Sequence, residues 1–346
     1  MTSRRKLVLT GTVVILIFAT VISFVAFSSL RNKEGASGAM CSLRLLQSVQ
    51  LKGLSGRLDH MAVDTKANRL FLAALANNSL IVVDLVSGTV FRSIRNLSEP
   101  QDVLYVPDTS TVYVSNGGSG LLEALDSSSF SRTGTISFPS DPDNLRYDAS
   151  SKKLLFVGYG LGGIGVVNTT TGRIEEKIEL VGHPESFQLE ASGPRIFVNV
   201  PTGRYVAVIN RTTSSVVSRW PIPNATGNFA MALDENHHRL FIGTRDPPQL
   251  VIMDTSSGNV ITQVRISQDP DDIFYDALNG CIYVAAGQGY VDIIKQLDSN
   301  RYIVVESLAT SAGARTALFV PEQNRLYVAA PRTNDTDAKI LVYGVS

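Results

Sequence analysis

The feature that most constrains this chain is a short strand-like motif that returns every 41 to 44 residues. Each copy has a branched or aliphatic residue, an aromatic or aliphatic pair and a small residue, as in residues 70–73 (LFLA) and 112–115 (VYVS). The copies begin at Leu70, Val112, Leu155, Ile196, Leu240, Ile282 and Leu326. Repetition at a fixed period indicates an architecture whose units bury their apolar faces against one another.

Each copy of the motif is accompanied by three further strand-like segments. A turn that often contains proline, such as Pro100 or Pro142, and a hydrophobic strand precede it. An apolar run that closes on a polar residue, such as Asp84 or Asp254, follows it, and a last strand comes after a turn. Four short strands in about 40–45 residues are the period of a β-propeller blade. The sequence therefore predicts an all-β fold, a seven-bladed β-propeller with four-stranded blades, over residues 41–346.

The two ends of this repeat region complement each other. The last copy stops after its third strand, at residues 340–343, and residues 42–49 look like a fourth strand with no blade before them. We expect the N-terminal strand to close the last blade, because pairing would cover a sheet edge that is otherwise exposed. Deletion of residues 41–52 should then lower the melting temperature sharply.

The N-terminal segment differs from the rest of the chain. Residues 7–30 contain no charge, and Arg4, Arg5 and Lys6 precede them. A span of about 20 apolar residues crosses a bilayer, and the flanking basic residues keep the N-terminus in the cytoplasm. We therefore predict a cytoplasmic stub (1–6), a transmembrane signal anchor (7–30), a linker (31–40) and an extracytoplasmic propeller at the cell surface or in the periplasm. A cleaved signal peptide, with small residues at 36–39, is the alternative.

The charge balance bears on partners. The whole chain has 31 basic and 31 acidic residues, but without residues 1–40 there remain 26 basic and 30 acidic residues, a net charge of −4. This balance argues against nucleic acid as a partner. The 2 cysteines exclude a disulfide-stapled scaffold and a cysteine-based zinc module. Cys281, at the start of a core strand, is expected to be a free, buried thiol.

Several segments resemble the YVTN-type, YncE-like β-propeller repeat family. They are residues 69–73 (RLFLA), 80–85 (LIVVDL), 239–242 (RLFI) and 251–254 (VIMD). The resemblance covers residues 41–346 and implies an extracytoplasmic binding or surface protein. It specifies the fold better than the function, because one fold serves many functions.

In such propellers, the loops that lead into the innermost strands lie around one mouth of the central channel, with the loops that join second and third strands. Polar residues are frequent in these loops, which also contain Arg57, Asp141 and Phe229. The candidate ligand-binding residues are Asp59, His60, Gln101, Asp102, Asp143, Asn144, His183, Glu185, Arg245, Asp271, Asp272 and Arg315. Converging polar groups on a rigid scaffold predict binding of a small polar ligand, a glycan or a protein partner.

Two other interpretations apply to the same loops. One is a divalent metal site, with calcium most compatible and zinc or manganese as alternatives. Its candidate ligands are His60, Asp102, Asp143, Glu185 and Asp272. The other is turn chemistry alone, since Asp and Asn favour tight turns without any ligand.

The alternatives to a binding protein are a lactonase-like or other metal-dependent hydrolase, and a protein-interaction scaffold. A histidine beside a carboxylate can act as a general base. However, His60 and His183 fall in the first and fourth repeats, so they need not meet, and no catalytic residue is assigned. Six N-x-S/T sequons predict a glycoprotein if the host glycosylates exported chains. They lie at Asn77, Asn96, Asn168, Asn210, Asn224 and Asn334.

Overall fold

The computed structural model describes residues 41–346, which form one compact unit, Cys41–Ser346. The predicted stub, transmembrane helix and linker lie outside the described residues. Among residues 41–346, no helix is long and apolar enough to cross a membrane.

The described chain consists of seven four-stranded antiparallel sheets. Blade 1 contains β2 (Met61–Asp64), β3 (Arg69–Ala74), β4 (Ser79–Asp84) and β5 (Thr89–Arg95); blade 2 contains β6 (Pro100–Val106), β7 (Thr111–Asn116), β8 (Leu121–Asp126) and β9 (Arg132–Ser137); blade 3 contains β10 (Pro142–Tyr147), β11 (Leu154–Tyr159), β12 (Gly163–Asn168) and β13 (Arg173–Glu179). Blade 4 contains β14 (Phe187–Leu189), β15 (Arg195–Val200), β16 (Tyr205–Asn210) and β17 (Ser215–Pro221); blade 5 contains β18 (Thr226–Asp234), β19 (Arg239–Asp246), β20 (Pro248–Asp254) and β21 (Val260–Arg265); blade 6 contains β22 (Pro270–Asp276), β23 (Cys281–Ala286), β24 (Tyr290–Asp298) and β25 (Arg301–Ala309). Blade 7 contains β26 (Thr316–Val320), β27 (Arg325–Ala330), β28 (Lys339–Val345) and β1 (Leu43–Gln50). Four short 3-10 turns, Leu75–Asn77, Pro107–Thr109, Pro201–Gly203 and Pro321–Gln323, connect strands of these blades.

The closure of the ring is confirmed. Strand β1 pairs antiparallel with β28, with Val49 opposite Ile340 and Leu43 opposite Val345. The seventh blade is thus assembled from both ends of residues 41–346.

The two cysteines contradict the expectation of a free thiol. Cys41, just before β1, forms a disulfide with Cys281, the first residue of β23 in blade 6, at a sequence separation of 240 residues. The bond ties the closing strand to the blade next to its own. Cross-linking residues that are so far apart removes chain entropy from the unfolded state.

The core lies between blades. Within residues 41–346, seven apolar clusters join neighbouring blades around the ring. The repeated aromatic residues of the second strands, such as Phe71, Phe156 and Phe241, are buried in these clusters. The second strands are buried on both faces, whereas the outer strands, such as β5, are mostly exposed. This gradient holds the innermost strands rigidly around the channel.

The polar residue that ends a third strand shapes the turn that follows. The Oδ1 atom of Asp84 accepts hydrogen bonds from the backbone N–H groups of Val86 and Ser87, at 2.9 and 2.7 Å. Two of the sequon asparagines, Asn168 and Asn210, make the same turn. Asn96, Asn224 and Asn334 are exposed, and Asn77, Asn168 and Asn210 are half-buried. Glycosylation stays a prediction.

Candidate functional site

Two successive repeat positions precede the apolar part of each innermost strand and surround one mouth of the channel. The first position is occupied, blade by blade, by Asp59, Gln101, Asp143, Glu185, Asn228, Asp271 and Arg315. The second is occupied by His60, Asp102, Asn144, Ser186, Phe229, Asp272 and Thr316. Strand pairing shifts register across this stretch in β6, β10, β18 and β22. Such irregularities change the direction in which side chains point. The equivalent position of each blade thus places a different chemical group at the mouth.

Five of the seven first-position residues, all except Asp59 and Asn228, line a cavity of about 250 Å³, which we call the mouth cavity. All seven blades contribute to it. Its lining residues are Arg57, His60, Gln101, Asp141, Asp143, Asn144, His183, Glu185, Ser186, Phe229, Arg245, Asp271 and Arg315. The side chains are almost all charged or amide groups, with Phe229 as the aromatic exception.

A larger cavity of about 480 Å³ is lined by the innermost strands. Aliphatic and aromatic residues such as Met61, Leu145 and Phe274 make up much of its wall. His60 and Ser186 line both cavities. The charged groups are therefore concentrated at the mouth, and the channel becomes more apolar along the strands.

The mouth has a cationic side built on two arginines. Arg245 contacts Asp269 at 2.9 Å and Asp271 at 2.6 Å, and its guanidinium lies 3.6 Å from the centre of the Phe229 ring. Arg315 contacts the same two carboxylates, at 2.9 and 3.2 Å. The two arginines thus share two carboxylates, so the charges of this cluster compensate one another.

Asp102 and Asp272 have a different role, because each is bonded to the neighbouring blade. An Asp102 oxygen accepts a hydrogen bond from the backbone N–H of Leu145 in blade 3, at 2.8 Å. An Asp272 oxygen accepts one from the backbone N–H of Ala317 in blade 7, at 2.9 Å. Carboxylates that accept backbone N–H groups satisfy donors that would otherwise be buried without partners. These two residues connect adjacent innermost strands.

Three side chains of blades 3 and 4 meet at the mouth, where no arginine of residues 41–346 contacts them directly. One ligand atom each from Asp143, His183 and Glu185 lies within 4.8 Å of the others. The His183 Nε2 atom is 3.7 Å from the Glu185 Oε1 atom. Burial raises the pKa of Asp143 to about 7 and, together with the charge of Asp143, raises that of Glu185 to about 9. Burial disfavours the ionised form of Asp143, and the nearby charges of His60 and Arg57 offset this only in part.

Asp59 and His60 form a buried pair beside this group. Burial raises the pKa of Asp59 to about 7, even though Arg57 lies 3.1 Å and His60 3.9 Å from its carboxylate. For His60, burial opposes protonation, but the carboxylate of Asp272 at 3.3 Å holds its pKa well above the ordinary value. The contact with Asp272 therefore favours the protonated form of His60.

The structure brings most of the candidate binding residues to one place. The mouth cavity is lined by His60, Gln101, Asp143, Asn144, His183, Glu185, Arg245, Asp271 and Arg315. Asp59 is fully buried and does not line it, while Asp102 and Asp272 line the larger cavity. That these residues bind a ligand stays a prediction.

The candidate metal ligands are only partly grouped. Asp143 and Glu185 lie together, but with His183, which the sequence had not placed in the metal set. His60 instead contacts Asp272, and it lines the mouth cavity together with His183. Ser186 was not predicted as a residue of the mouth, although it lies 42 residues after Asn144, at the equivalent position of the next repeat.

No protein-family model matches the chain. Among curated proteins, uncharacterized protein YncE of Salmonella typhimurium is 21% identical over 288 residues, covering 78% of this chain and 81% of that protein. Its counterpart in Salmonella typhi is 20% identical over the same length.

Two solved structures share the fold. Hydrazine synthase of Kuenenia stuttgartiensis aligns with a TM-score of 0.72 and 15% identity, over 84% of this chain and 98% of that one. A chain of the mitotic checkpoint complex aligns with a TM-score of 0.75 and 14% identity, over 90% and 95%. Identities this low show the fold alone. The chain is thus a seven-bladed propeller with distant sequence similarity to YncE proteins of the YVTN type.

Proposed function

We propose that this protein is a membrane-anchored, extracytoplasmic propeller that binds a small polar ligand in the mouth cavity. The observation that carries the proposal is one cavity with both arginines and uncompensated carboxylates on its wall, among them Arg315, Asp143 and Glu185. A cavity with a few convergent polar groups on a rigid scaffold is the usual form of a binding site.

The dimensions of the cavity limit the ligand. A volume of about 250 Å³ holds about eight water molecules, at about 30 Å³ each. An amino acid or a monosaccharide has this size, and both carry the donors and acceptors that the wall would satisfy. A longer peptide or glycan would place one terminal unit in the cavity.

Two features support the proposed location. Residues 7–30 are an uncharged run after a basic cluster, which is typical of a signal anchor. The disulfide between Cys41 and Cys281 favours an oxidising compartment, since structural disulfides persist mainly outside the cytoplasm.

The test is a binding screen on the full chain in detergent. Amino acids and monosaccharides are the compounds, and thermal shift and calorimetry measure their binding. A ligand that binds only the folded state raises the melting temperature. We expect at least one compound to bind the wild type and to bind Arg315→Gln at least about tenfold more weakly, since one charge-assisted contact contributes about 1.5–3 kcal/mol.

Arg301→Gln is the matched control, because Arg301 is exposed and paired only with Asp298 in the turn between β24 and β25. It should bind as the wild type does. A panel without a single binder, or equal losses in the two arginine variants, would overturn the proposal.

A metal-dependent, lactonase-like hydrolase is the second candidate function, favoured by the grouping of Asp143, His183 and Glu185 beside a cavity. A carboxyl whose pKa is about 7, as burial gives Asp143, can exchange a proton near neutral pH. The wild type should hydrolyse at least one lactone of a panel, and this activity should be lost both in EDTA and in the Asp143→Asn variant. If the wild type hydrolyses no lactone faster than buffer does, the hydrolase function is wrong.

A further inference from the structure

The grouping at the junction of blades 3 and 4 supports a more specific assignment. We infer that Asp143, His183 and Glu185 form a site for a divalent cation, with Zn²⁺ as the best-fitting ion. The inference rests on the proposed function, because the cation would lie in the same mouth cavity and help to hold the ligand there.

The first argument is that Asp143 lacks a partner. Its side chain belongs to a residue that is only 9% exposed, and it lines the mouth cavity. Within residues 41–346, no hydrogen bond or ion pair reaches its carboxylate, whereas Asp102 and Asp272 each have a backbone donor. A buried carboxylate is stable as an ion only when paired or bound to a metal, and this one points at a space that a cation can fill.

The second argument is that the arginines of the mouth already contact carboxylates. Arg245 and Arg315 are held by Asp269 and Asp271. Arg57 is held by Asp59. The wall therefore retains two carboxylates, those of Asp143 and Glu185, that its own arginines do not contact.

The third argument is the geometry of the group. The three ligand atoms lie within 4.8 Å of one another, and the His183 Nε2 and Glu185 Oε1 atoms are 3.7 Å apart. Ligands at about 2.0–2.1 Å around a tetrahedral Zn²⁺ are about 3.3 Å apart. The observed spacing is wider than this, so binding of Zn²⁺ requires the three side chains to rotate toward one another.

The backbone places these ligands firmly. Glu185 donates its N–H to the carbonyl of Asn199, and Asp143 lies at the start of β10 in the neighbouring blade. His183 and Glu185 are two residues apart with Pro184 between them. Both line the mouth cavity, as Asp143 does.

The ligand set also selects the ion. Two carboxylates with one imidazole suit Zn²⁺, whereas Ca²⁺ takes six to eight oxygen ligands. The sequence had favoured calcium. Three protein ligands leave one position of a tetrahedral Zn²⁺ open, and in this site it faces the mouth cavity.

The experiment is calorimetric titration of Zn²⁺ into the full chain after EDTA treatment and dialysis, with bound metal counted by elemental mass spectrometry. We expect one Zn²⁺ per wild-type chain, and affinity reduced at least about 100-fold in Asp143→Asn and in His183→Gln, because each removes a direct ligand. Ca²⁺ should bind at least about 100-fold more weakly than Zn²⁺.

His238→Asn is the control, since His238 is exposed and lies in the turn between β18 and β19. It should bind Zn²⁺ as the wild type does. Melting curves recorded in EDTA show whether each ligand variant folds. If one variant does not fold, Zn²⁺ binding by the other tests the inference. Absence of Zn²⁺ binding, or equal binding in the wild type and both ligand variants, would overturn the inference.

The two proposals fail separately. If Zn²⁺ does not bind but a compound of the binding screen does, the metal site alone is wrong. If Zn²⁺ binds at Asp143 and no compound binds with or without the metal, the ligand-binding function is wrong and the metal site remains.

Discussion

Two pairs of carboxylates lie at the channel mouth, at neighbouring positions of the repeat, and the two pairs make different contacts. Asp102 and Asp272, at the second position, accept backbone N–H groups from the next blade. Asp143 and Glu185, at the first position, line the mouth cavity, and no hydrogen bond reaches either carboxylate from the described residues. Two adjacent positions of the repeat can therefore have different roles. A residue at one position braces the neighbouring blade, and a residue at the other lines the candidate site.

The largest effect is expected from removing both bracing carboxylates. Asp102→Ala combined with Asp272→Ala leaves the N–H groups of Leu145 and Ala317 without acceptors between the blades. We expect the free energy of unfolding to fall by about 5 kcal/mol, at about 2–3 kcal/mol for each broken buried contact. Urea unfolding of the full chain in EDTA measures it.

The matched variant is Asp143→Ala, which removes a carboxylate of similar burial that has no such contact. It should change the unfolding free energy by less than about 1 kcal/mol. If Asp143→Ala costs as much as the double variant, the distinction between the two positions is wrong.

A smaller effect is expected from pH, through Asp59. This first-position carboxyl is fully buried, faces Arg57, His60, Asp143 and Asp271, and has a pKa raised by burial to about 7. Its pKa is higher in the folded than in the unfolded chain, so folding binds a proton between about pH 4 and 7. The unfolding free energy should therefore fall as pH rises through that range, by about 2–4 kcal/mol.

Urea unfolding between pH 4 and 8 gives this slope, and Asp59→Asn, which resembles the protonated form, should flatten it. Asp298→Asn, at an exposed turn, should leave it unchanged. A wild-type slope of the opposite sign, or one that Asp59→Asn does not alter, contradicts the expectation.

The smallest effect is expected from neutralising the unpartnered carboxylate. Asp143→Asn should raise the unfolding free energy by about 1 kcal/mol in EDTA at pH 8, because an uncompensated buried charge is removed. With excess Zn²⁺ the order should reverse, since only the wild type gains from binding. Thermal melts of both proteins, in EDTA and in excess Zn²⁺, measure these differences. If Asp143→Asn is less stable than the wild type in EDTA, the carboxylate of Asp143 has a stabilising partner.

Much of the fold could be read from the sequence. The spacing of the motif from Leu70 to Leu326 predicts seven blades, and the unpaired strand at residues 42–49 predicts the closure that β1 and β28 make. These features are local patterns of apolar side chains and turns, and such patterns determine which backbone can bury them.

The candidate site could be read less completely. The repeat offset locates the mouth residues, but it does not separate Asp102 from Asp143, because both are aspartates before an apolar strand. Their partners come from adjacent blades, about 40 residues away in the chain. Likewise, the grouping of His183 with Asp143 depends on how blade 3 meets blade 4.

The sequence by itself determined the number of blades, the strands in each and the residues that surround the channel, since these depend on periodic burial within each repeat. Only the tertiary structure decided that Cys41 and Cys281 are joined and that Asp102 and Asp272 brace neighbouring strands. It also decided that Asp143 and Glu185 accept no hydrogen bond from the described residues. The physical reason is that hydrogen bonds, disulfides and burial act over a few ångströms in space. In a ring, neighbours in space are a whole repeat or most of the chain apart in sequence.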